Sequence, residues 1–571
     1  IADRVGVMYL GNMMEMADYD LRSIQEARDL ARLGEIAAIK LSNFTEDQID
    51  KILQNMVRIA KENETILAKM AVEETGFGKV KDKAYKNHMA SVLLYNEIKN
   101  MKTIGIINED LENKIIEIAE PMGLLLGIVP STNPTSTAIF KSIVALKSRN
   151  AIVFSPHPSA LNSTLKSIKL MRDAAIDAGA PEDCISCITL PSINATNELM
   201  KSKEVKMIIA TGGPAMVKAS YSAGKPSLGV GAGNSPAYIE KTANIEQAVK
   251  NIIASKTFDY GTICASEQSI IVEESIKENV IDEFKKNKAY FLTDKETEKV
   301  CKIIFNENLE MNAKFVGKSA YVIAEAAEIK VPFDTTVLIG EQKGVGNEYP
   351  LSKEKLNTVL GFYIVKDWHE ACDLSIKLLQ YGIGHTMSLH TEDRNIVLEF
   401  AKKPASRILI NTGSAMGGTG ASTGLLTSFT LGCGTSGGSS ISENLGPLQL
   451  INIKKIAYGI KDVVTLMEND PTFNYLELDR NNLLENIEPK IEVLSKEENV
   501  SKIEDLIFNR ENSTSYISGC NKCGTQEDAK KIEKYIEESL KNTDADISIA
   551  NEGISQEQLN DMINAFSSLL K

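Results

Sequence analysis

The chain has 571 residues, a formal net charge of −14 at pH 7, 43% hydrophobic residues and 25% charged residues. This length allows two or three domains, and the acidic balance argues against a nucleic-acid partner. No apolar run reaches the roughly 18 residues of a membrane span, so no membrane partner is predicted. The first 16 residues lack the order of a signal peptide, and eight cysteines in such a length are typical of a reducing compartment. We therefore expect a cytoplasmic enzyme of small molecules.

Helical patterns fill the region from residue 21 to residue 70. Apolar residues between Ile49 and Ala60 share one face, and Thr45 precedes them as a candidate N-cap. The segment 104–120 then alternates around a polar centre, which predicts a β-hairpin.

From residue 123 onward, strand patterns and helix patterns alternate. The predicted strands lie at 124–129, 151–154, 185–190 and 206–210, and the predicted helices at 135–147, 161–178 and 195–202. Repeated units of this kind imply a parallel, doubly wound sheet, which binds ligands at the carboxyl ends of its strands. A second α/β region covers about 245–425. Its predicted strands are 269–272, 320–323, 336–339 and 408–410, and the Gly-, Ser- and Thr-rich stretch 413–440 is predicted to be an ordered loop.

One cysteine lies in a turn between two regular elements. Cys264 follows a helical pattern at 245–256 and precedes a β-branched run at 269–272. A substrate can approach a thiol in a turn, whereas a thiol inside either flanking element would pack in the core. From the residue alone, a buried structural role stays open beside that of a nucleophile.

Two further turns join a strand to a helix. Thr211, Gly212 and Gly213 precede a proline at a helix start, where free N–H groups hold a pyrophosphate. Asn133 either donates a hydrogen bond to a developing oxyanion or caps the following helix. The glycines of 229–233 lack the spacing of a dinucleotide fingerprint and a directly preceding strand, so that interpretation is rejected.

The remaining cysteines and the histidines predict no metal site. Cys184 and Cys187 fall at the start of a predicted strand, which favours a structural role. Cys520 and Cys523 lie in a polar tail without a second pair, a poor zinc signal. The five histidines show no ligand spacing.

The composition changes near residue 465. Residues 466–554 are predicted to form a polar extension, and 555–571 an amphipathic helix. The apolar stripe of this helix consists of Leu559, Met562, Ile563, Phe566 and Leu570. From spacing alone, the helix either docks on another protein or packs on its own domain.

Taken in order, several strings resemble the aldehyde dehydrogenase superfamily over residues 20–465, most closely its coenzyme A-acylating branch. They are Ser131-Thr-Asn133-Pro, Ala210-Thr-Gly-Gly213, Gly231-Ala-Gly-Asn234-Ser-Pro236, Ile263-Cys264-Ala-Ser-Glu-Gln268, Gly384-His385-Thr386 and the run from Leu431 to Asn444. The resemblance implies an α/β fold with three parts. These are a Rossmann-type nucleotide-binding domain at 21–104 and 123–240, a catalytic domain at 241–430, and a small β oligomerisation flap at 105–122 and 445–462. Residues 1–20 receive no role, and the flap implies a homodimer or homotetramer.

The resemblance also assigns roles in the oxidation of a short-chain aldehyde. It implies that Cys264 attacks the aldehyde as thiolate, that Asn133 and the Cys264 N–H hold the oxyanion, and that coenzyme A (CoA) takes the acyl group. It places Glu354 at the nicotinamide ribose, with a surface carboxylate as the alternative. It assigns His385 to acyl transfer, with a structural hydrogen bond as the alternative. The remaining cofactor-binding residues that it implies are Pro156, His157, Thr211, Gly212 and Gly213.

The chain departs from hydrolytic members at three places. Val230 stands where they carry a water-activating glutamate, which favours a thiol as acyl acceptor. Pro156 and His157 stand where they carry a ribose-binding lysine, so NAD is expected with NADP open. The loop before Asn133 is one residue longer. A hydrolytic enzyme that forms a free carboxylate and a shell-associated scaffold with a dead enzyme fold are the alternatives.

Several relatives in this branch reside in bacterial microcompartments and carry a terminal amphipathic helix after a polar linker. Residues 555–571 resemble such an encapsulation peptide. The resemblance therefore implies a shell protein as a partner and a microcompartment within the cytoplasm as the location.

Overall fold

The computed structural model describes residues 2–473, with side chains from residue 18 onward. The chain divides into two compact units, Ile1–Asp462 and Val463–Lys571. In the second unit, the described residues 463–473 form turns and bends. Cys520 and Cys523, most of the predicted polar extension and the predicted terminal helix lie outside the described residues.

The first unit begins with helices and a β-hairpin. Its first elements are α1 (Ala2–Leu41), α2 (Glu46–Thr75), α3 (Val80–His88), a π-helical turn (Met89–Leu93), α4 (Leu94–Ile98), β1 (Gly105–Asp110) and β2 (Ile115–Pro121). Thr45 caps α2 as predicted, because its side chain accepts from the Gln48 N–H while the Gln48 side chain accepts from the Thr45 N–H. The two strands pair antiparallel, which confirms the predicted hairpin.

A five-stranded parallel sheet follows. Its elements are β3 (Leu124–Val129), α5 (Pro134–Lys147), β4 (Ala151–Pro156), α6 (Leu161–Asp177), β5 (Ile185–Cys187), α7 (Ile193–Lys201), β6 (Val205–Thr211), α8 (Pro214–Tyr221) and β7 (Ser227–Val230). The strand order is β5-β4-β3-β6-β7, so the winding reverses between β3 and β6. Doubly wound sheets bind ligands at such a reversal, at the carboxyl ends of the strands.

The second sheet has seven parallel strands, in the order β10-β11-β12-β9-β8-β13-β14. Its strands are β8 (Ser235–Ile239), β9 (Glu267–Glu273), β10 (Tyr290–Leu292), β11 (Leu338–Glu341), β12 (Val359–Val365), β13 (Gly384–His390) and β14 (Ala405–Ile410). Its helices are α9 (Ile245–Thr257), α10 (Lys277–Lys286), α11 (Asp294–Ile304), α12 (Ala320–Ala326), α13 (Trp368–Leu379), α14 (Arg394–Phe400) and α15 (Ser414–Gly418). Because β8 pairs in this sheet, the first sheet ends at Val230, ahead of the predicted boundary at residue 240. The predicted α/β class with parallel sheets is confirmed.

The strand predicted at 320–323 is wrong, because these residues begin helix α12. The Ser319 side chain accepts from the Val322 N–H and caps the helix. Ala320, Ile323 and Ala324 are buried on one face, at the spacing of a helix. A short apolar run fits both a helix and a strand, and here the serine cap selects the helix.

A third, antiparallel sheet joins distant parts of the first unit. Strand β15 (Ile451–Ala457) pairs with β2, and β2 pairs with β1. The sheet thus contains both segments of the expected flap, 105–122 and 445–462. None of the helices within residues 2–473 combines the length and apolar character needed to cross a membrane.

Candidate active site

A cavity of about 380 Å³ opens where the winding of the five-stranded sheet reverses. Its wall includes residues at the carboxyl ends of β3, β4 and β6 and residues of the loop before β9. The predicted site residues that line it are Asn133, Pro156, His157, Thr211, Gly212, Gly213, Cys264 and Glu354. The fold therefore brings together residues that lie up to 221 positions apart in the chain (354 − 133). His385 is the predicted site residue that does not line this cavity.

One end of the cavity suits a dinucleotide. Helix α8 begins at Pro214, and Gly213 at its N-cap supplies no side-chain cap. Apart from its chain neighbours, no atom of the described residues lies within 4 Å of the place that a Cβ would take at Gly213, so a ligand can approach the backbone there. An uncapped helix start attracts anionic oxygens. His157 accepts from the Ser159 N–H through Nδ1 (3.2 Å), and burial lowers its pKa.

Cys264 occupies a partly exposed position on the cavity wall. It lies in the loop between a 3₁₀ turn (Phe258–Gly261) and β9, as the sequence predicted. Burial raises the pKa of its thiol to about 12, and Glu354 and Cys433 raise this pKa further, while Arg407 lowers it. In the ligand-free site the neutral thiol is therefore the dominant form at pH 7.

Alkylation of the ligand-free protein measures this pKa directly. A thiol reacts as its thiolate, and the raised pKa keeps the thiolate fraction below half throughout the stable pH range. We expect the rate of Cys264 alkylation by iodoacetamide to rise about tenfold per pH unit from pH 7 to 9, without a plateau. The rate is followed by mass of the Cys264 peptide. A plateau at or below pH 8 would contradict the raised pKa.

The Asn133 amide faces the loop that carries Cys264. Its Nδ2 donates to the Thr262 carbonyl (3.0 Å), and its Oδ1 accepts from Lys86 Nζ (2.6 Å). The side chain makes no cap bond to α5, so the capping alternative is wrong. The amide is thus placed beside the loop that carries Cys264, with its N–H toward that loop.

Glu354 reaches the cavity from the second sheet. Its Oε1 accepts from the Gly233 N–H at 3.0 Å, and it is partly buried, which excludes the surface-carboxylate alternative. Burial raises the pKa of Glu354 to about 7, while Gly233, Lys256 and Lys355 lower it. A larger share of this carboxyl group is therefore protonated at neutral pH than of an exposed glutamate.

His385 is buried behind the Gly233 loop. Its Nδ1 lies 2.8 Å from Thr386 Oγ1, and its Nε2 has no hydrogen-bond partner within the described part of the chain. Burial lowers the pKa of His385 to about 3, with a further contribution from Arg407. The ring is neutral at pH 7 and keeps one nitrogen free of a protein partner.

Gly233 packs tightly against the Cys264 loop, which sequence reasoning missed. A Cβ there would lie 1.9 Å from the Cys264 carbonyl oxygen and 3.4 Å from His385 Cδ2. The segment 229–233 was rejected as a fingerprint partly because no strand precedes it, and that reason is wrong, since β7 runs to Val230. The rejection itself agrees with the fold, because the chain continues into β8 and not into a helix. The glycine lets the loop pass against Cys264.

Charged residues around the site were also missed. Buried Arg407 on β14 donates to the carbonyls of His385 (3.1 Å), Gly432 (2.5 Å) and Ser442 (3.0 Å). It thereby ties the glycine- and serine-rich loop to β13. No signal in the sequence separates this arginine from surface arginines.

The first cysteine pair occupies the structural position that the sequence favours. Cys184 and Cys187 are free thiols buried in the core of the five-stranded sheet. Among residues 2–473, no group of three or more His, Cys, Asp or Glu side chains is arranged to hold a metal ion.

The sequence profile of the aldehyde dehydrogenase family matches residues 11–325, and the chain belongs to this family. It is 52% identical to an acetylating aldehyde dehydrogenase from Geobacillus thermoglucosidasius of known structure, over 78% of this chain and 98% of that one, with a TM-score of 0.76. It is 47% identical over 442 residues to the bifunctional aldehyde-alcohol dehydrogenase AdhE of Escherichia coli (strain K12), which covers 76% of this chain and 50% of that protein. The chain thus spans about half the length of the aldehyde-alcohol dehydrogenases that it matches.

A more distant structure is the propionaldehyde dehydrogenase of a Clostridium phytofermentans fucose utilisation bacterial microcompartment. It is 25% identical, over 75% of this chain and 96% of that one, with a TM-score of 0.68.

Proposed function

We propose that the chain oxidises a short-chain aldehyde reversibly to an acyl-CoA through a thioacyl group on Cys264. One observation carries the proposal. Val230 is 2% exposed and lies on the cavity wall, where a hydrolytic enzyme needs a carboxylate to activate water. Among the described residues that line the cavity, Glu354 is the one carboxylate, and it is bound by the Gly233 N–H. The relatives named acetylating support the same acceptor, a thiol.

In the first step, the Cys264 thiol releases its proton to solvent, its sulfur forms a bond to the carbonyl carbon, and the C=O electrons move to the oxygen. The Asn133 Nδ2 and the Cys264 backbone N–H donate to this oxyanion. A nicotinamide, when bound, would supply the acceptor for the hydride that leaves this carbon as the oxygen electrons re-form the C=O bond. The thiol of CoA then bonds to the acyl carbon, and the Cys264 sulfur leaves with its electron pair. Neutral His385, with Nε2 free of a protein partner, is the proposed acceptor of the CoA proton.

The proposed cofactor is NAD, with NADP as the alternative. Gly212 and Gly213 at the start of α8 would hold the pyrophosphate, with Thr211 beside them. Pro156 and His157 at the end of β4 would face the adenosine, and Glu354 would hold the nicotinamide ribose. No lysine stands at the β4 position, so the choice between the two nucleotides is left to measurement.

Omitting CoA separates this function from hydrolysis to a free acid. We expect the rate of NADH formation from acetaldehyde or propionaldehyde to fall at least about 100-fold without CoA. Without a general base to activate water, hydrolysis of the thioacyl group should be slower by at least this factor. The assay follows absorbance of NADH with each aldehyde and each nucleotide, and acyl-CoA is quantified at its end. Turnover that is undiminished without CoA, with free carboxylate as product, would establish the hydrolytic alternative.

We also propose that the chain forms a homodimer or homotetramer through the sheet of β1, β2 and β15. Its strand β15 leaves Ile453 52% exposed and Ile456 41% exposed, and β1 leaves Ile106 53% exposed. Apolar strand residues exposed at this level support burial against another copy.

A shell protein as partner, and a microcompartment as location, have narrower support. They rest on the apolar stripe within 555–571 and on the 25%-identical microcompartment relative.

A further inference from the structure

Helix α3 has the composition of a solvated helix, yet two of its lysines are buried. Lys83 is 3% exposed and Lys86 is 1% exposed, and they lie three residues apart on one face. Long cationic side chains are almost never this buried unless they are paired. Neither belongs to the cavity wall, so both act from behind it.

Each lysine joins the Asn133 loop to the loop that leads to Cys264. Lys86 Nζ donates to Asn133 Oδ1 (2.6 Å), Asp259 Oδ2 (2.5 Å) and Thr262 Oγ1 (3.0 Å). Lys83 Nζ donates to the Thr132 carbonyl (2.8 Å) and to the same Asp259 oxygen (2.9 Å). All three N–H donors of Lys86 are therefore used, and they fix the two loops relative to each other.

Asp259 is the shared anchor of the two ammonium groups. It is fully buried, and it and Tyr260 hold left-handed backbone conformations, with φ of 48° and 49°. Its Oδ1 accepts from the Lys79 N–H (2.8 Å), and its own N–H donates to Asp82 Oδ2 (2.7 Å). Two consecutive non-glycine residues in this region are unusual and persist where their surroundings hold them. Here the start of α3 does so.

The ammonium of Lys86 decides which way the Asn133 amide points. An amide has an accepting oxygen and a donating nitrogen, and only the oxygen can lie against an ammonium that has no acceptor. With Oδ1 on Lys86, Nδ2 is directed to the Cys264 loop, where it meets the Thr262 carbonyl. A charged donor on the oxygen also polarises the amide and strengthens its N–H as a donor.

We propose that Lys86, held by Asp259 and Lys83, is a positioning residue that fixes the Asn133 amide with its N–H toward the Cys264 loop before substrate binds. This inference rests on the proposed roles of Asn133 and Cys264. The loop before Asn133 is one residue longer than in hydrolytic members. The contact with Lys86 explains how the Asn133 amide still keeps one orientation. Sequence reasoning assigned no role to any of these three charged residues.

Two reactions of Cys264 test the proposal without nucleotide, aldehyde or CoA. In acylation by p-nitrophenyl acetate, the sulfur bonds to the ester carbon through a tetrahedral oxyanion, and p-nitrophenolate leaves with the C–O electrons while the thiol proton passes to solvent. Alkylation by iodoacetamide displaces iodide directly and forms no oxyanion. A residue that orients an oxyanion donor therefore affects the first reaction and spares the second.

The variants are Lys86→Met, Asn133→Ala and the double variant. In Lys86→Met, Asp259 keeps Lys83 at 2.9 Å, so no buried charge is left unpaired. We expect each single variant to slow the p-nitrophenolate burst about 10- to 100-fold, and the double variant to slow it no more than about threefold beyond Asn133→Ala. Alkylation rates should stay within about threefold of the wild type. Lys81→Met, the same substitution at an exposed position of α3, is the matched control and should change neither rate.

Multiplicative losses in the double variant would overturn the proposal, because Lys86 would then act apart from Asn133. An equal loss of acylation and alkylation would also overturn it, since that is the result of a collapsed loop. If Lys86→Met does not fold, Lys86→Gln keeps a donor without the charge. It should give a burst between those of the wild type and Asn133→Ala, and a burst at the wild-type rate would contradict the requirement for an ammonium.

These experiments distinguish a failure of the positioning role of Lys86 from a failure of the proposed function. Cys264→Ala must abolish the burst, which shows that the ester reports on this thiol. If the CoA assay fails while the burst behaves as expected, the acyl acceptor is wrong and the positioning role stands. If the CoA assay succeeds while the two losses multiply, the positioning role is wrong and the function stands.

Discussion

Replacing Cys264 by alanine is expected to abolish CoA-dependent aldehyde oxidation, lowering kcat by at least about 10⁴-fold. The variant removes the atom that bonds to the aldehyde carbon, and no other thiol lines the cavity among the described residues. The loss should appear in kcat, with nucleotide binding kept within about threefold, because the helix α8 start is untouched. Nucleotide binding is measured by titration of the ligand-free variant.

Cys433 is the matched control for this thiol. It is buried close enough to raise the pKa of Cys264, yet it is not part of the cavity wall. Cys433→Ala should retain activity within about tenfold, the effect expected of a small packing change beside the site. Activity in Cys264→Ala above about 1% of the wild type, or a larger loss in Cys433→Ala, would refute the assignment of the nucleophile.

The second large effect is expected at a glycine. Gly233→Ala places a methyl group 1.9 Å from the Cys264 carbonyl oxygen, a separation that real Cβ atoms essentially never show. The clash involves backbone, so one of the two loops must move. A displacement of about 1 Å at a reacting group costs about 100-fold in rate, and we expect kcat to fall by at least this factor. The Gly233 N–H bond to Glu354 would shift with the loop.

Gly424→Ala controls for the loss of a glycine. Gly424 is exposed, and within residues 18–473 no atom beyond its chain neighbours lies within 4 Å of the Cβ that it would gain. Its kcat should stay within about threefold of the wild type. The two variants are compared by steady-state assay and by alkylation of Cys264. An active Gly233→Ala would show that the loop tolerates the added methyl and that its close approach is not needed.

The alternation of strands and helices was predictable because buried parallel strands are continuous apolar runs. Leu124–Val129 and residues 207–210 are such runs, and the proline and glycine turns after them mark the edge that binds ligands. The same reasoning failed at 320–323, where an apolar run of four residues fits both periods and a serine cap selects the helix.

The residues that line the cavity were predictable from the family resemblance and not from periodicity. Cys264, Asn133 and Glu354 were found through strings that resemble a family, and the fold then placed them on one wall.

The hydrogen-bonded group of Lys83, Lys86 and Asp259 behind the cavity wall was not predictable. Lys83 and Lys86 belong to helix α3, whose polar composition is typical of a solvent-exposed helix. Their burial depends on partners elsewhere in the chain. Asn133 lies 47 residues from Lys86, and Asp259 lies 173 residues from it. Contacts between residues so far apart in the chain depend on the topology of the fold, and a local sequence pattern carries no information about it.

The central claim is that Cys264 carries the acyl group and passes it to a thiol. Intact-protein mass spectrometry after one turnover with propionaldehyde and NAD, without CoA, tests this most directly. We predict one added propionyl group per chain, located on the Cys264 peptide, that persists in buffer and is removed by CoA at least about 100 times faster than by water. An unmodified Cys264, an acyl group on another residue, or discharge by water as fast as by CoA would contradict the account.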